Sequence, residues 1–142
     1  MNRNNRTRSG GFEALNYVYS FNVASLAAGA SAQDTINIDS DSNFHWVKGS
    51  FFAAIASATQ TDSSRVLPLI NLQLTDTGSG RQFFDNPIPI TTFFGTGEIP
   101  FILPLEQIFS SNSTIKADFT SFDAAATYTD IELSLIGFKK YL

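Results

Sequence analysis

The stretches T-I-K-A-D-F-T (Thr114–Thr120) and T-D-I-E-L-S-L-I-G (Thr129–Gly137) decide the fold class of this chain. In both, apolar and polar residues alternate, and a period of two is typical of a β-strand with one dry and one wet face. The dry positions are Ile115, Ala117 and Phe119 in the first stretch and Ile131, Leu133 and Leu135 in the second. Since only a short polar link separates the two strands, we expect them to be antiparallel neighbours. This part of the chain therefore predicts an all-β protein.

The composition favours a single β-domain whose surface is poor in charge. The chain has 142 residues, enough for one domain with a core that needs no disulfides. It has no cysteine, which excludes disulfides and thiolate metal sites, and its 14 phenylalanines suit half-buried sheet surfaces. Only 15% of the residues are charged, against about a quarter in ordinary proteins. Such a neutral surface is easier to explain if other subunits cover part of it, although aggregation is the alternative interpretation.

About eight strands are predicted in all. Those that precede the two quoted stretches are Tyr17–Val23, Thr35–Asp39, Phe44–Ala58, Val66–Thr75, Arg81–Phe84 and Ile99–Leu103, with Ile108–Phe109 as a further short candidate. Residues 24–34 are expected to form a loop, and Asp76–Gly80 is rich in the residues that make hairpin turns. The spacing of the strands is typical of an antiparallel β-sandwich that resembles a jelly roll.

The segment Phe44–Ala58 leaves its secondary structure open. Its aromatic and β-branched residues favour a strand, and the apolar run Phe51–Ala56 predicts burial on both faces. Its four alanines would also permit a helix. We take the strand as the prediction.

An irregular apolar segment, Asn86–Pro100, is the main candidate for binding a partner. Three prolines and two glycines break any ladder of strand hydrogen bonds there. A loop normally runs through water, and this one would expose costly apolar side chains unless another subunit covered them. The candidate partner-binding residues are Ile88, Ile90, Phe93 and Phe94.

Residues 1–16 are predicted to be an N-terminal arm, and residues 17–142 the β-sandwich domain. The arm carries Arg3, Arg6 and Arg8 against Glu13, a charge of +2, so the remaining residues carry −6 in a total of −4. Its arginines would either dock the arm on an acidic neighbouring subunit or remain in water as a solvated tail. The acidic body argues against nucleic acid as a partner.

No membrane segment or secretory signal is predicted. No apolar run approaches the roughly 18 residues that a membrane span needs. The polar start of the chain lacks the apolar core of a signal peptide, so synthesis in the cytoplasm is expected.

The sequence predicts no catalytic, cofactor or metal site. His45 is the single histidine, and if Phe44 and Trp46 face inward, strand alternation turns it outward. Glu98 and Glu106 are the nearest approach to a pair of glycosidase carboxylates, but nothing in the sequence brings them together.

The stretch D-S-D-S-N (Asp39–Asn43) matches only the start of a calcium-binding loop. Asp39, Asp41 and Asn43 occupy the first three ligand positions. Phe44 then stands where glycine is needed, and Ser50 where a glutamate should bind. An ordinary polar turn is the other interpretation of the same residues.

Four stretches together give a family resemblance. They are Asp41–Trp46, the turn Asp76–Arg81, Pro100–Pro104 and the ending Ile131–Lys139. In this order they resemble small β-sandwich virion proteins of tailed bacteriophages, of the capsid decoration (cement) type. The resemblance implies a non-enzymatic structural protein, located in the virion, that binds the major capsid protein and copies of itself, with a trimer preferred.

A carbohydrate-binding module is the alternative from another functional class. β-Sandwiches often carry aromatic platforms for sugars, and the rings available here are Tyr17, Tyr19 and Trp46. The dominance of phenylalanine, which has no polar group, argues against this alternative.

Overall fold

The structure, a computed structural model, describes residues 13–56 and 67–142. This part of the chain contains nine strands and one short helix. The strands are β1 (Ala14–Leu26), β2 (Ser31–Asn37), β3 (Ser42–Ile55), β4 (Ile70–Asp76), β5 (Arg81–Gln82), β6 (Ile88–Pro89), β7 (Phe101–Phe109), β8 (Thr114–Ser121) and β9 (Tyr128–Tyr141); the helix is α1 (Ile90–Phe93).

The strands form two antiparallel sheets packed face to face. Sheet A has the order β1-β9-β3-β7, and sheet B has the order β2-β8-β4-β5, with β6 also paired to β4. The pairs β1–β9, β2–β8, β3–β7 and β4–β5 nest inside one another, as in one long hairpin rolled into two layers. This is the jelly-roll arrangement, so the predicted all-β sandwich is confirmed.

The prediction that the last two strands are neighbours is wrong. β8 lies in sheet B between β2 and β4, whereas β9 lies in sheet A between β1 and β3. Asp123 holds the link between them: its carboxylate accepts hydrogen bonds from the amides of Ala125 and Ala126 and from the Tyr128 hydroxyl. The Ala126 amide is the main cause of the lowered pKa of Asp123. The alternation identified the dry face of each strand but carried no information on its partner.

The core lies between the sheets and is centred on Trp46. Its indole is 1% exposed and packs against the rings of Phe83, Phe93, Phe94 and Phe109, with ring centres 5.8–6.4 Å away. The indole N–H donates to the Lys48 carbonyl at 2.7 Å, so the one polar atom of this side chain is satisfied.

Several strand boundaries differ from the predictions. β1 includes Ala14–Asn16, which the sequence placed in the arm, and β1 and β2 together take up most of the predicted loop at residues 24–34. The two segments around Pro104 form one strand, β7, at the edge of sheet A, where a residue without an N–H is tolerated. The hairpin of β4 and β5 is confirmed, with Thr75 opposite Gln82.

The segment around Phe51 is a strand, as predicted, but it is not buried on both faces. Phe52 is 51% exposed, while the preceding Phe51 packs against the core. β3 is therefore an ordinary one-sided strand of a sandwich, and the helical alternative for its described residues is wrong.

Candidate functional site

The irregular segment at residues 86–100 is not the exposed apolar loop that we expected. Ile90 and Phe94 are each 1% exposed, and Ile88 and Phe93 are half-buried against the core. The single turn of α1, closed by the Phe94 amide donating to the Ile90 carbonyl, turns both side chains inward. These residues contribute to the core of the chain itself, so the reason for expecting a partner to cover Ile90 and Phe94 is removed.

The other predicted partner-binding residues lie outside the part of the chain that the structure describes. Arg3, Arg6 and Arg8 belong to residues 1–12. Their docking on a neighbouring subunit remains a prediction.

The exposed apolar surface begins just where the predicted segment ends. Eleven large apolar side chains of the described residues are exposed, and four of them lie on β7 or directly before it. They are Ile99, Ile102, Leu105 and Ile108, with exposures of 57–75%. β7 is an edge strand, paired only with β3, so its outer side chains have neighbours on one side alone.

The exposed residues of β7 continue into two rows across the outer side of sheet A. In the first row, Val18 pairs with Ile136, Ile136 with Lys48, and Lys48 with Ile102. In the second, Asn16 pairs with Phe138, Phe138 with His45, and His45 with Ile108. We call this surface the apolar face; its members are Val18, Val47, Lys48, Ile102, Ile108, Ile136 and Phe138. An open groove between β1, β9 and β3 lies along it.

Val47 reaches the apolar face because β3 bulges there. The pairing of β3 with β9 and with β7 shifts register between Trp46 and Lys48, which leaves Val47 without a partner. Val47 lines the groove beside Lys48 as a result. This position could not be assigned from the alternation of the sequence, because a bulge interrupts the period of two.

His45 lies in the second row, between Phe138 and Ile108, but its side chain is buried. The prediction that it points away from Phe44 and Trp46 is correct, but His45 is only 8% exposed. Its imidazole stacks on Phe138, with ring centres 4.6 Å apart, and Nδ1 donates to the Glu106 carboxylate at 3.1 Å. The histidine thus joins two strands and presents Glu106 at the edge of the face.

The outer side of sheet B is polar, in contrast to that of sheet A. Its outward side chains on β2 and β8 are Ser31, Gln33, Thr35, Asn37, Thr114, Lys116, Asp118 and Thr120. Some of these side chains contact each other. The hydroxyl oxygens of Ser31 and Thr120 are 3.1 Å apart, and the Lys116 ammonium lies 3.6 Å from the Asp118 carboxylate. The outer side of β2 and β8 therefore suits water, whereas the apolar part of the outer side of sheet A does not.

The three candidate calcium ligands serve three different partners. Asp39 pairs with Lys139, Asp41 accepts the Ser42 hydroxyl, and the Asn43 side chain accepts the Ser111 amide. Because their oxygens point to separate groups, the turn does not form one ligand set. Across residues 13–56 and 67–142, no cluster of three or more His, Asp or Glu side chains could hold a metal.

A buried lysine closes one end of the sandwich. Lys139 occupies an inward position of β9 and is 5% exposed; its ammonium donates to Asp39 and lies 3.9 Å from the centre of the Tyr17 ring. Burial acts to lower the pKa of Lys139, but the hydrogen bond to Asp39 and the neighbouring Tyr19 outweigh it and leave the pKa raised. The same hydrogen bond is the main cause of the lowered pKa of Asp39.

Replacing Asp39 with asparagine will destabilise the protein at neutral pH by about 1 kcal/mol, because Asp39 is half-exposed and water screens its pairing. The folded-state pKa of Asp39 is lowered, so its contribution is present above its ordinary pKa of about 3.9 and is lost as the pH falls through the folded value. Chemical denaturation at neutral pH and at about pH 2 measures both differences. A loss of equal size at both pH values would contradict this account.

A matched control for that experiment is Asp118→Asn on the polar side of sheet B. Its ion pair with Lys116 is longer, at 3.6 Å, and belongs to the water-facing surface. We expect it to cost less than about 0.5 kcal/mol at neutral pH.

The aromatic rings proposed for sugar binding are not arranged as a platform. Trp46 and Tyr19 are buried, at 1% and 9% exposure, and the Lys139 ammonium covers the ring of Tyr17. A sugar platform needs flat rings open to solvent. This observation disfavours the carbohydrate-binding alternative.

Comparison with known proteins gives no match to a family model, a curated protein or a solved structure. In the described part of the chain, no helix combines the length and the apolar character needed to cross a membrane.

Proposed function

We propose that this chain is a non-enzymatic structural protein of a virion that binds the major capsid protein and stabilises the particle. The observation that carries the proposal is the exposed apolar surface at β7, which includes Ile99 and Leu105 beside the apolar face. Connected apolar surfaces of this kind on a folded protein mark sites of interaction with other molecules. The jelly-roll fold adds support by analogy, since viral capsid proteins often use it.

The mechanism would be the burial of surface by many identical copies. A standard protein–protein interface buries about 800 Å² on each partner. Apolar area removed from water contributes roughly 25 cal/mol per Å², although much of this is offset by the cost of association. A modest net gain for each copy, repeated over a particle, would raise the stability of the whole shell.

The basic arm would add a second contact. Arg3, Arg6 and Arg8 precede residues 17–142, which carry a net charge of −6. An acidic surface on a neighbouring subunit would attract the arm without attracting the body. This contact would weaken as salt concentration rises, since exposed charges are screened.

Co-sedimentation with capsids tests the proposal. The capsids are assembled from the major capsid protein encoded in the same genome, and we expect binding that saturates and that raises the temperature at which the shell opens. A variant that lacks residues 1–12 should bind more weakly; the deletion stops there because Ala14–Asn16 pair with β9. Failure of the full-length protein to bind capsids over a wide range of concentrations would contradict the proposed function.

A further inference from the structure

We infer that the apolar face docks a second copy of this chain, sheet A against sheet A, with the polar sides of sheet B pointing outward. The inference rests on the proposed function for its biological setting and assigns the surface and partner of the self-association. It places the two jelly rolls in a four-layer stack.

The two apolar rows can cover each other. They are adjacent on sheet A, since Ile136 and Phe138 are two residues apart on β9. A two-fold axis that runs across the strands between the rows lays the first row of one copy on the second row of the other. Ile136 then meets Phe138, and Ile102 meets Ile108. The apolar side chains of β9 and β7 thus find apolar partners without any change in the fold, while Val18 meets Asn16.

The charges of the face also match under this symmetry. Lys48 lies in the first row, and Glu106, held by His45, lies beside the second. Exchanging the rows brings Lys48 of one copy towards Glu106 of the other, twice in each dimer. The whole chain carries −4, so two copies repel each other in most orientations. On this face the positive charge of Lys48 is matched by the negative charge of Glu106. The face is therefore suited to docking a second copy.

The geometry favours stacking of faces over pairing of edges. β7 is the exposed edge of sheet A, but Pro104 lacks an N–H, and its pairing with β3 shifts register between Trp46 and Lys48. A proline and a bulge are devices that stop an edge strand from accepting another strand. Ile102 and Ile108 pair with the outward residues Lys48 and His45, so these exposed side chains of β7 belong to the apolar face and are available for contact there.

The area of overlap is sufficient for a dimer at the low end of interface size. The axis between the rows crosses β9 near Gly137, four residues from the end of the strand at Tyr141, so the two copies overlap over about nine residues of each strand. Four strands spaced about 4.8 Å apart, with nine residues at about 3.3 Å each, give roughly 570 Å² on each copy. The total of roughly 1,100 Å² exceeds the about 1,000 Å² that a specific interface needs.

Sedimentation equilibrium of charged variants tests the surface. In the test variant, Ile102→Lys and Ile108→Lys place two ammonium groups on exposed positions of the face. The control, Gln33→Lys and Thr35→Lys, adds the same charge to the polar side of sheet B. We expect the wild type and the control to dimerise equally, and the test variant to dimerise at least tenfold more weakly. A monomeric wild type, or a test variant that dimerises as well as the control, overturns the inference.

Distances between spin labels test the arrangement of the two copies. The chain has no cysteine, so Asn16→Cys and Thr35→Cys each introduce a single labelling site. Sheets stack about 10 Å apart, so labels at residue 16 of two copies should lie within about 15 Å of each other. Labels at residue 35 lie on the two outer surfaces of the stack and should be about 30 Å apart. The reverse order of distances would show that sheet B forms the contact and would overturn the inference.

Capsid binding by the same variants separates this inference from the proposed function. A test variant that is monomeric yet still sediments with capsids supports the inference. A test variant that still dimerises but no longer sediments shows that the capsid occupies the face, which overturns the inference and leaves the function standing. A wild type that dimerises but never sediments contradicts the function and leaves the inference standing.

Discussion

Replacing Gly137 with alanine will destabilise the protein by at least about 3 kcal/mol, at the upper end of the cost of overpacking. A Cβ at this position would lie 1.8 Å from the carbonyl oxygen of His45 and 3.1 Å from the Cα of Trp46. Both contacts are with backbone, so no rotation of a side chain can relieve them. The bulge at Val47 occurs where Gly137 pairs with Trp46, in the middle of sheet A.

Chemical denaturation followed by the fluorescence of Trp46, the single tryptophan, measures this effect. Gly97→Ala is the matched control, because an added Cβ there meets nothing within 4 Å. We expect the control to change the unfolding free energy by less than about 1 kcal/mol. Equal denaturation midpoints for the two alanine variants would show that the close approach of β9 to β3 is not a feature of the folded protein.

Replacing Trp46 with alanine will cost about 3–5 kcal/mol, as is typical when a large aromatic side chain is removed from a core. The indole fills the space between Phe94 and Phe109, which stack on it with ring centres 5.8 and 6.1 Å away. Its removal leaves a cavity lined by rings and removes the hydrogen bond to the Lys48 carbonyl. Far-ultraviolet circular dichroism during denaturation measures the loss, since the variant has no tryptophan to report fluorescence.

The control for Trp46→Ala is Phe52→Ala on the same strand. Phe52 is 51% exposed on the outer side of β3, so its removal creates no cavity, and we expect a cost below about 1 kcal/mol. If both substitutions cost the same, Trp46 would not be the centre of the core. Trp46→Phe should fall between them, because a smaller ring remains but the Lys48 carbonyl loses its donor.

The position of the apolar surface shows where reasoning from the sequence failed. Ile90 and Phe94 were expected to be exposed because prolines and glycines surround them, yet a single helical turn carries both into the core. Ile102 and Ile108 belong to the two short apolar strand segments that the sequence predicts on either side of Pro104. They are exposed because β7 lies at an edge of sheet A, and the edge position of a strand depends on its neighbours.

The sequence by itself determined the strands and their dry faces. Ile115, Ala117 and Phe119 on β8 are fully buried, as the alternation predicted, because a pleated backbone sends successive side chains to opposite sides. The hairpin at Asp76–Gly80 was also predictable, since its turn chemistry is local. Only the tertiary structure decided which strands beyond this hairpin are neighbours, which outer face is apolar, and that Lys139 lies inside. Those outcomes depend on contacts between residues far apart in the chain, and a local pattern has no information on such contacts.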